Sequence, residues 1–295
     1  MSWGGIPRHL LDELRHMEVS ASRRFAAGRP GSYSSPQRDR GLEFDRHRAY
    51  EPGDDVRRID WNVTARLNAP YLRETHAERE LDVMVVVDVS RSMELGAARH
   101  SKRELQILVA GSLMFSAAGD GINVGMLAFG ARVVSYDRPR RGRGRALRLL
   151  EQLWASPVDP GATAFRPAVA HLLEHLRAGT LVFLVSDFQA RDVAGPEFRV
   201  LAAHHYVRAV VVEDPLESEL PAHGGVVELL DLESGRSTRV ALTSGLRERV
   251  ASVARERRKD LTRRLHTVPI THAFVRSKER VLEPVMRLLA TPRHA

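Results

Sequence analysis

The sequence predicts an α/β fold: a doubly wound, mostly parallel sheet with helices on both faces, carried by residues 80–295. Three observations predict it. Val83-Met84-Val85-Val86-Val87 and Leu181 to Val185 are short, apolar, largely β-branched runs, which suits strands buried on both faces. Such runs alternate with helical patterns, the arrangement that right-handed crossovers between parallel strands require. The chain has 295 residues, 43% hydrophobic and 28% charged, ordinary for one large domain with a smaller companion.

Taken in order, residues 8–18 form a short helix with Leu10, Leu11 and Leu14 on one side. Ala26 to Arg40 is rich in Gly, Ser, Pro and Arg and reads as a linker. Residues 41–79 are polar and charged around a Pro52-Gly53-Asp54-Asp55 turn. They read as short strands and turns, with the Tyr50 and Trp61 rings in a small core. Residues 1–79 are thus assigned to a helix, a linker and a small N-terminal β-rich subdomain. Ser101 and Glu104 make a capping box that opens a helix through Leu105, Leu108, Val109, Leu113 and Ala117. Asp120-Gly121 turns the chain into a strand from Ile122 to Phe129, with a short edge strand from Arg132 to Tyr136. Helices follow at 145–155 and 166–177, the second with Pro167 near its start and Gly179 past its end. Further strands run from Leu181 to Ser186 and from Tyr206 to Val212. Residues 226–242 break the alternation: two β-rich runs flank Ser234-Gly235, a late β-hairpin insertion. A charged helix from Leu246 to Leu265, a strand from Ile270 to Val275 and a helix from Val281 to Leu289 complete the pattern.

Composition excludes several classes. With no cysteine there is no disulfide framework, thiolate zinc site or cysteine nucleophile. No apolar run approaches the ~18 residues of a membrane span, and Asp12, Glu13, Arg15 and His16 interrupt any signal-peptide core. A cytoplasmic location is the resulting expectation. Lys+Arg 45 against Asp+Glu 37 gives a net charge of +8. Lysine occurs only at Lys102, Lys259 and Lys278, so 42 of the 45 basic residues are arginine. The densest cluster, Arg140-Arg141-Gly142-Arg143-Gly144-Arg145, reads as a loop able to grip phosphates. No aromatic residue interleaves it to stack on bases.

The chemistry is concentrated at strand ends, where open α/β sheets bind ligands. The first buried strand ends in Asp88-Val89-Ser90-Arg91-Ser92, and Asp187 ends another. Thr163 lies in a loop just before a helix. Convergence of these segments would offer two carboxylates and three hydroxyls, a hard set suited to Mg²⁺ first and to Mn²⁺ or Ca²⁺ next. Two carboxylates only balance a divalent charge, so the ion stays electrophilic and can accept a carboxylate from another molecule. His204-His205 is metal-friendly in type, but adjacent strand residues point to opposite faces, so it reads as surface or packing.

This arrangement resembles the metal-ion-dependent adhesion site of von Willebrand factor A domains, which sit on a Rossmann-like sheet. The resemblance implies that Ser90, Ser92 and Thr163 ligate Mg²⁺ directly, and that Asp88 and Asp187 do so directly or through water. Upstream, the segment from Arg48 to Trp61, with Thr64-Ala65-Arg66 and Glu78-Arg79-Glu80, resembles the signature of the "domain of unknown function 58" family. That family's members resemble adaptors of MoxR-type AAA+ ATPases, so the implied role is a non-enzymatic, Mg²⁺-dependent protein-binding module with a client that supplies an acidic residue. Within the signature, Asp54, Asp55, Asp60, Arg48, Arg57, Arg58 and Arg66 read as ion pairs locking the small subdomain onto the main sheet, or as a partner-facing surface.

Two other classes are weighed. A Mg²⁺-dependent phosphatase or phosphotransferase would use Asp88 as nucleophile. Against it, Ser90 stands where such enzymes need a second carboxylate, and the sequence offers no lysine near Asp187. A nucleic-acid-binding protein would use Arg140 to Arg145, with binding that falls with salt and ignores Mg²⁺. No glycine loop with a Lys-Ser/Thr ending is present, so any ATPase is a separate chain.

Overall fold

The computed structural model describes residues 5–14, 43–51, 54–76, 81–94, 96–97, 100–221, 224–230, 237–277 and 281–290. The chain divides into two units, residues 29–80 and residues 1–28 with 81–295. Helix α1 (8–14) belongs to the larger one. Although the sequence reading groups residues 1–79, Ile6, Leu10 and Leu14 are buried in the core of the α/β unit.

In the smaller unit, β1 (Glu43–Ala49) pairs antiparallel with β2 (Tyr71–His76), aligning Arg48 with Leu72 and Ala49 with Tyr71. Between them lies a helix, α2 (Trp61–Leu67), where the sequence suggests only strands and turns. Asp60 starts it: its carboxylate accepts the Asn62 and Val63 amides and a contact from His47 Nε2 at 2.9 Å. Asn68, in the left-handed region at φ 56°, stops it. The Asp60 carboxyl is held below the usual carboxylate range, chiefly by His47. Asp55 accepts the Arg57 amide, and Thr64 Oγ1 accepts that of Tyr71. Arg48 pairs with Asp54 at 2.8 Å. The signature acids therefore act mainly as backbone caps within this unit. Trp61 corrects the sequence reading: it opens α2 and is 68% exposed, not core. Pro52-Gly53 and Glu78-Arg79-Glu80 lie outside the described residues.

The larger unit is built on β3 (Asp82–Asp88), β6 (Asn123–Phe129), β7 (Val133–Arg140), β8 (Leu181–Ser186), β9 (Tyr206–Val212) and β12 (Thr271–Val275). Their order is β12-β9-β8-β3-β6-β7, parallel except for the edge strand β7. Two short pairs stand apart: β4 (Gly96–Ala97) with β5 (His100–Ser101), and the hairpin β10 (Val226–Leu230) with β11 (Ser237–Ala241). The hairpin lies where the insertion is expected, and its turn at Ser234-Gly235 is outside the described residues.

Strand periodicity decides which helices lie on which face. Val83, Val85 and Val87 point into one core, with α1, α3 (Lys102–Gly119), α4 (Arg143–Ala155) and α8 (Leu282–Ala290). Met84 and Val86 point into the other, with α5 (Phe165–His175), α6 (Pro196–His204) and α7 (Ser244–His266). This is the expected doubly wound α/β fold. Ser101 caps α3 by accepting the Glu104 amide. Helix α6 is an addition to the sequence reading; Pro196 at its start and Phe198, Leu201 and Ala202 on its buried side are its local signals. Among the described residues no helix is long and apolar enough to cross a membrane.

Candidate functional site

From β3 the chain proceeds to β6 and β7 on one side, then returns to β8, β9 and β12 on the other. The strand order thus reverses between β3 and β8, so their carboxyl ends are the topological switch point. Val87 is paired with Val185 there, so Asp88 and Asp187 come from adjoining strand ends. Gln106 of α3 ties the two ends together, its Nε2 donating to Asp88 O at 2.6 Å and Val185 O at 3.3 Å.

Asp88 is fully buried. Its Oδ1 accepts the Ser90 amide at 2.9 Å and its Oδ2 accepts the Ser186 hydroxyl at 2.6 Å. Burial first, and the charge of Asp187 second, push its carboxyl up to about 6. A buried carboxyl raised in part by a neighbouring carboxylate favours a cation beside it. Ser90 Oγ and Ser92 Oγ lie 3.1 Å apart. Neighbouring oxygens on a Mg²⁺ octahedron with bonds of about 2.1 Å are separated by about 3 Å, so the serine pair fits that ion.

Thr163 sits half-buried in the segment between α4 and α5 and makes no side-chain hydrogen bond among the described residues. Its loop is anchored beside Ser90 by Asp159. The Asp159 amide donates to Val89 O, and its carboxylate accepts the Ala131 and Gly161 amides at 3.1 and 2.9 Å. The structure therefore gathers Asp88, Ser90, Ser92 and Asp187 at one edge and brings the Thr163 loop to the Ser90 turn.

Lys102, the first residue of α3, is a component that the sequence reading lacks. It is 1% exposed, and its Nζ donates to Asp187 Oδ2 at 2.8 Å and Glu217 Oε1 at 2.7 Å. Burial alone would lower its affinity for the proton, but the two carboxylates outweigh that and hold it above the ordinary lysine value. Asp187 Oδ1 accepts the Gln189 amide at 3.2 Å. With one oxygen committed to an ammonium, Asp187 suits contact with a cation through water. The hydroxyls, Asp88 and Asp187 together are an all-oxygen set that fits a hard divalent ion. Among the described residues no group of three or more His, Asp or Glu is placed to hold a metal ion, so the hydroxyls would have to supply much of the ligand set.

Lys102 also overturns one argument of the sequence reading: a lysine does lie beside Asp187. Ser90 at the second carboxylate position and the hydrogen bonds occupying both Asp88 oxygens still oppose phosphoryl transfer through Asp88. The segment from Arg140 to Arg145 is not an open loop either. It spans the end of β7 and the start of α4, with Arg141 donating to Gly121 O and Arg145 to Asp137, Arg138 O and Val124 O. His204 ends α6 in solvent, whereas His205 is buried and lowered to about 4, chiefly by burial; this neutral imidazole belongs to the packing.

The family model described as "Protein of unknown function DUF58" matches residues 46–260. The chain belongs to the DUF58 family. This DUF58 chain is 32% identical over 286 residues to the uncharacterized protein Rv1480 of Mycobacterium tuberculosis, spanning 96% of the chain and 90% of the relative. The figures are the same for the uncharacterized protein Mb1516 of Mycobacterium bovis. Among solved structures it is similar to the conserved hypothetical protein BatB from Bacteroides thetaiotaomicron, at TM-score 0.46 and 16% identity over 72% of the chain and 100% of BatB. A von Willebrand factor type A structure from Catenulispora acidiphila gives TM-score 0.41 and 14% identity over 73% of the chain and 43% of that protein. The fold assignment of the DUF58 chain rests on its own sheet order and two-faced helix layers.

Proposed function

We propose that this DUF58 chain is a non-enzymatic, Mg²⁺-dependent protein-binding module of the cytoplasm, working as an adaptor between a MoxR-type AAA+ ATPase and a client protein. The observation that carries the cation-dependent part is the meeting of Asp88, Ser90, Ser92 and Asp187 at the switch point between β3 and β8. The ATPase partner follows from the family resemblance. Ser90, Ser92 and Thr163 would hold the ion with neutral oxygens, while Asp88 and Asp187 supply only enough charge to balance it. A bound ion would then provide an electrophilic position for a partner's carboxylate. Lys102 holds Asp187 in place through its link to Glu217, and Asp159 holds the Thr163 loop against the Ser90 turn.

The test is capture of a MoxR-type ATPase or client on the immobilised chain, with Mg²⁺ and then with excess chelator. Capture is expected to need Mg²⁺ and to vanish in Asp88→Ala, whose circular dichroism should match that of the parent. Undiminished capture in chelator would overturn the mechanism. The proximity of Lys102 to Asp187 favours one rival, phosphoryl transfer at Asp88. Mg²⁺-dependent release of phosphate from an aryl phosphate, lost in Asp88→Asn, would establish that rival instead.

A further inference from the structure

A cavity of about 330 Å³ opens beside the site, under α7 and at the carboxyl ends of β8 and β9. Asp187 and Glu217 form part of its wall, so it shares one candidate ligand with the cation site and is joined to it again through Lys102. Its size is at the lower end of the ~300–1,000 Å³ of ligand pockets, enough for one or two side chains.

Its acids are already engaged: Asp260 pairs with Arg263 at 2.6 Å and the Asp214 carboxylate accepts the Leu216 amide. Glu213 receives Arg258 at 3.2 Å and Arg276 at 3.5 Å, and Lys102 serves both Asp187 and Glu217. The arginines of α7 are not all balanced in the same way. Among the described residues Arg257 reaches only the neutral amide oxygen of Gln189, at 3.1 Å. Arg255, also on the cavity wall, makes no ion pair among the described residues. Helix α7 carries seven arginines and one lysine against three acids. The cavity therefore presents guanidinium groups without carboxylate partners, next to a position proposed to take a carboxylate. Guanidinium forks match carboxylates in geometry and attract them over several ångströms.

We propose that this cavity is the second half of the docking site and takes a further carboxylate of an acidic partner segment, held by Arg255 and Arg257 a few residues along from the acid at the cation. The inference rests on the reading of the site as a cation-dependent protein-binding module. It adds that the partner's motif is acidic at more than one position.

The test uses the full chain and fluorescein-labelled hexaglutamate, followed by fluorescence anisotropy with Mg²⁺ present, with hexaglutamine as the neutral control. Hexaglutamate is expected to bind and hexaglutamine not. The double variant Arg255→Gln/Arg257→Gln, altered only at exposed positions, should bind about tenfold more weakly and with a flatter salt dependence, while its response to Mg²⁺ persists. Parental affinity in the double variant would overturn the cavity proposal and leave the cation mechanism standing. Arginine-dependent binding that ignores both chelator and Asp88→Asn would support the cavity and sink the cation mechanism. Tighter binding of a labelled hexathymidylate, lost in the same double variant, would overturn an acidic peptide in favour of nucleic acid.

Discussion

Lys102 is a buried cation whose two partners lie 85 and 115 residues away in the chain. Removing the lysine leaves Asp187 as buried, unpaired charge, at a cost of about 3–5 kcal/mol. Lys102→Met is expected to lose that much stability in urea denaturation at neutral pH; a loss within experimental error would show that Asp187 is solvated. Asp88 behaves in the opposite sense. Its carboxyl titrates at about 6 in the folded chain against an ordinary 3.8, so the native state holds the proton more tightly than the unfolded one. The contribution to stability is complete below the ordinary value and is lost as pH rises through about 6, amounting to about 3 kcal/mol. Asp88→Asn should therefore raise the melting temperature in chelator near neutral pH, by about 1–3 kcal/mol in stability, and leave it unchanged near pH 4. His205 is depressed to about 4, so its contribution is present above the ordinary imidazole value and lost as pH falls. It titrates in parent and variant alike and cancels in the comparison. An Asp88→Asn variant that is less stable at both pH values would contradict this account. The site thus keeps a carboxylate that opposes folding, as groups retained for binding often do.

At the scale of elements, β6 and β7 meet at Gly125 because nothing larger fits. A Cβ there would lie 2.5 Å from Asp137 O and 2.7 Å from Pro139 N, both backbone atoms of β7. Gly125→Ala is expected to cost about 1–3 kcal/mol, read by denaturant titration. Gly144→Ala, in the first turn of α4 with open space around it, should be neutral or stabilising by up to about 1 kcal/mol. Equal effects of the two would mean that β7 moves freely off β6. Element legibility followed burial. The strand Leu181–Ser186 is read at the residues where the structure has it because both faces are apolar. Helix α6 is missed because only Phe198, Leu201 and Ala202 of its nine residues are buried. Helix α2 is missed because it buries none, and its limits come from the Asp60 cap and the left-handed Asn68.

For the whole molecule, a ligand that binds only the folded chain stabilises it by mass action. At a concentration about 100-fold above its dissociation constant, Mg²⁺ should add about 2.7 kcal/mol, a rise of several degrees in melting temperature. The double variant Ser90→Ala/Ser92→Ala should lose this rise and keep the parental melting temperature in chelator. An equal response of parent and variant to Mg²⁺ would place the ion elsewhere. The net charge of +8 bears on the same scale: much of it lies on α7, beside the site, where it makes the local potential positive.

Sequence alone was enough for the α/β class, the order of most strands and helices, and the location of Asp88, Ser90 and Ser92 at a strand end. These are local matters, set by apolar runs, caps and a motif five residues long. The tertiary structure decided what the site is made of. It brought Asp187 to the neighbouring strand end, put Lys102 and Glu217 around it, anchored the Thr163 loop through Asp159, and opened a cavity of mixed charge under α7. Those facts depend on which segments of a folded chain become neighbours, and pairings across 85 to 115 residues leave no periodicity or spacing to read.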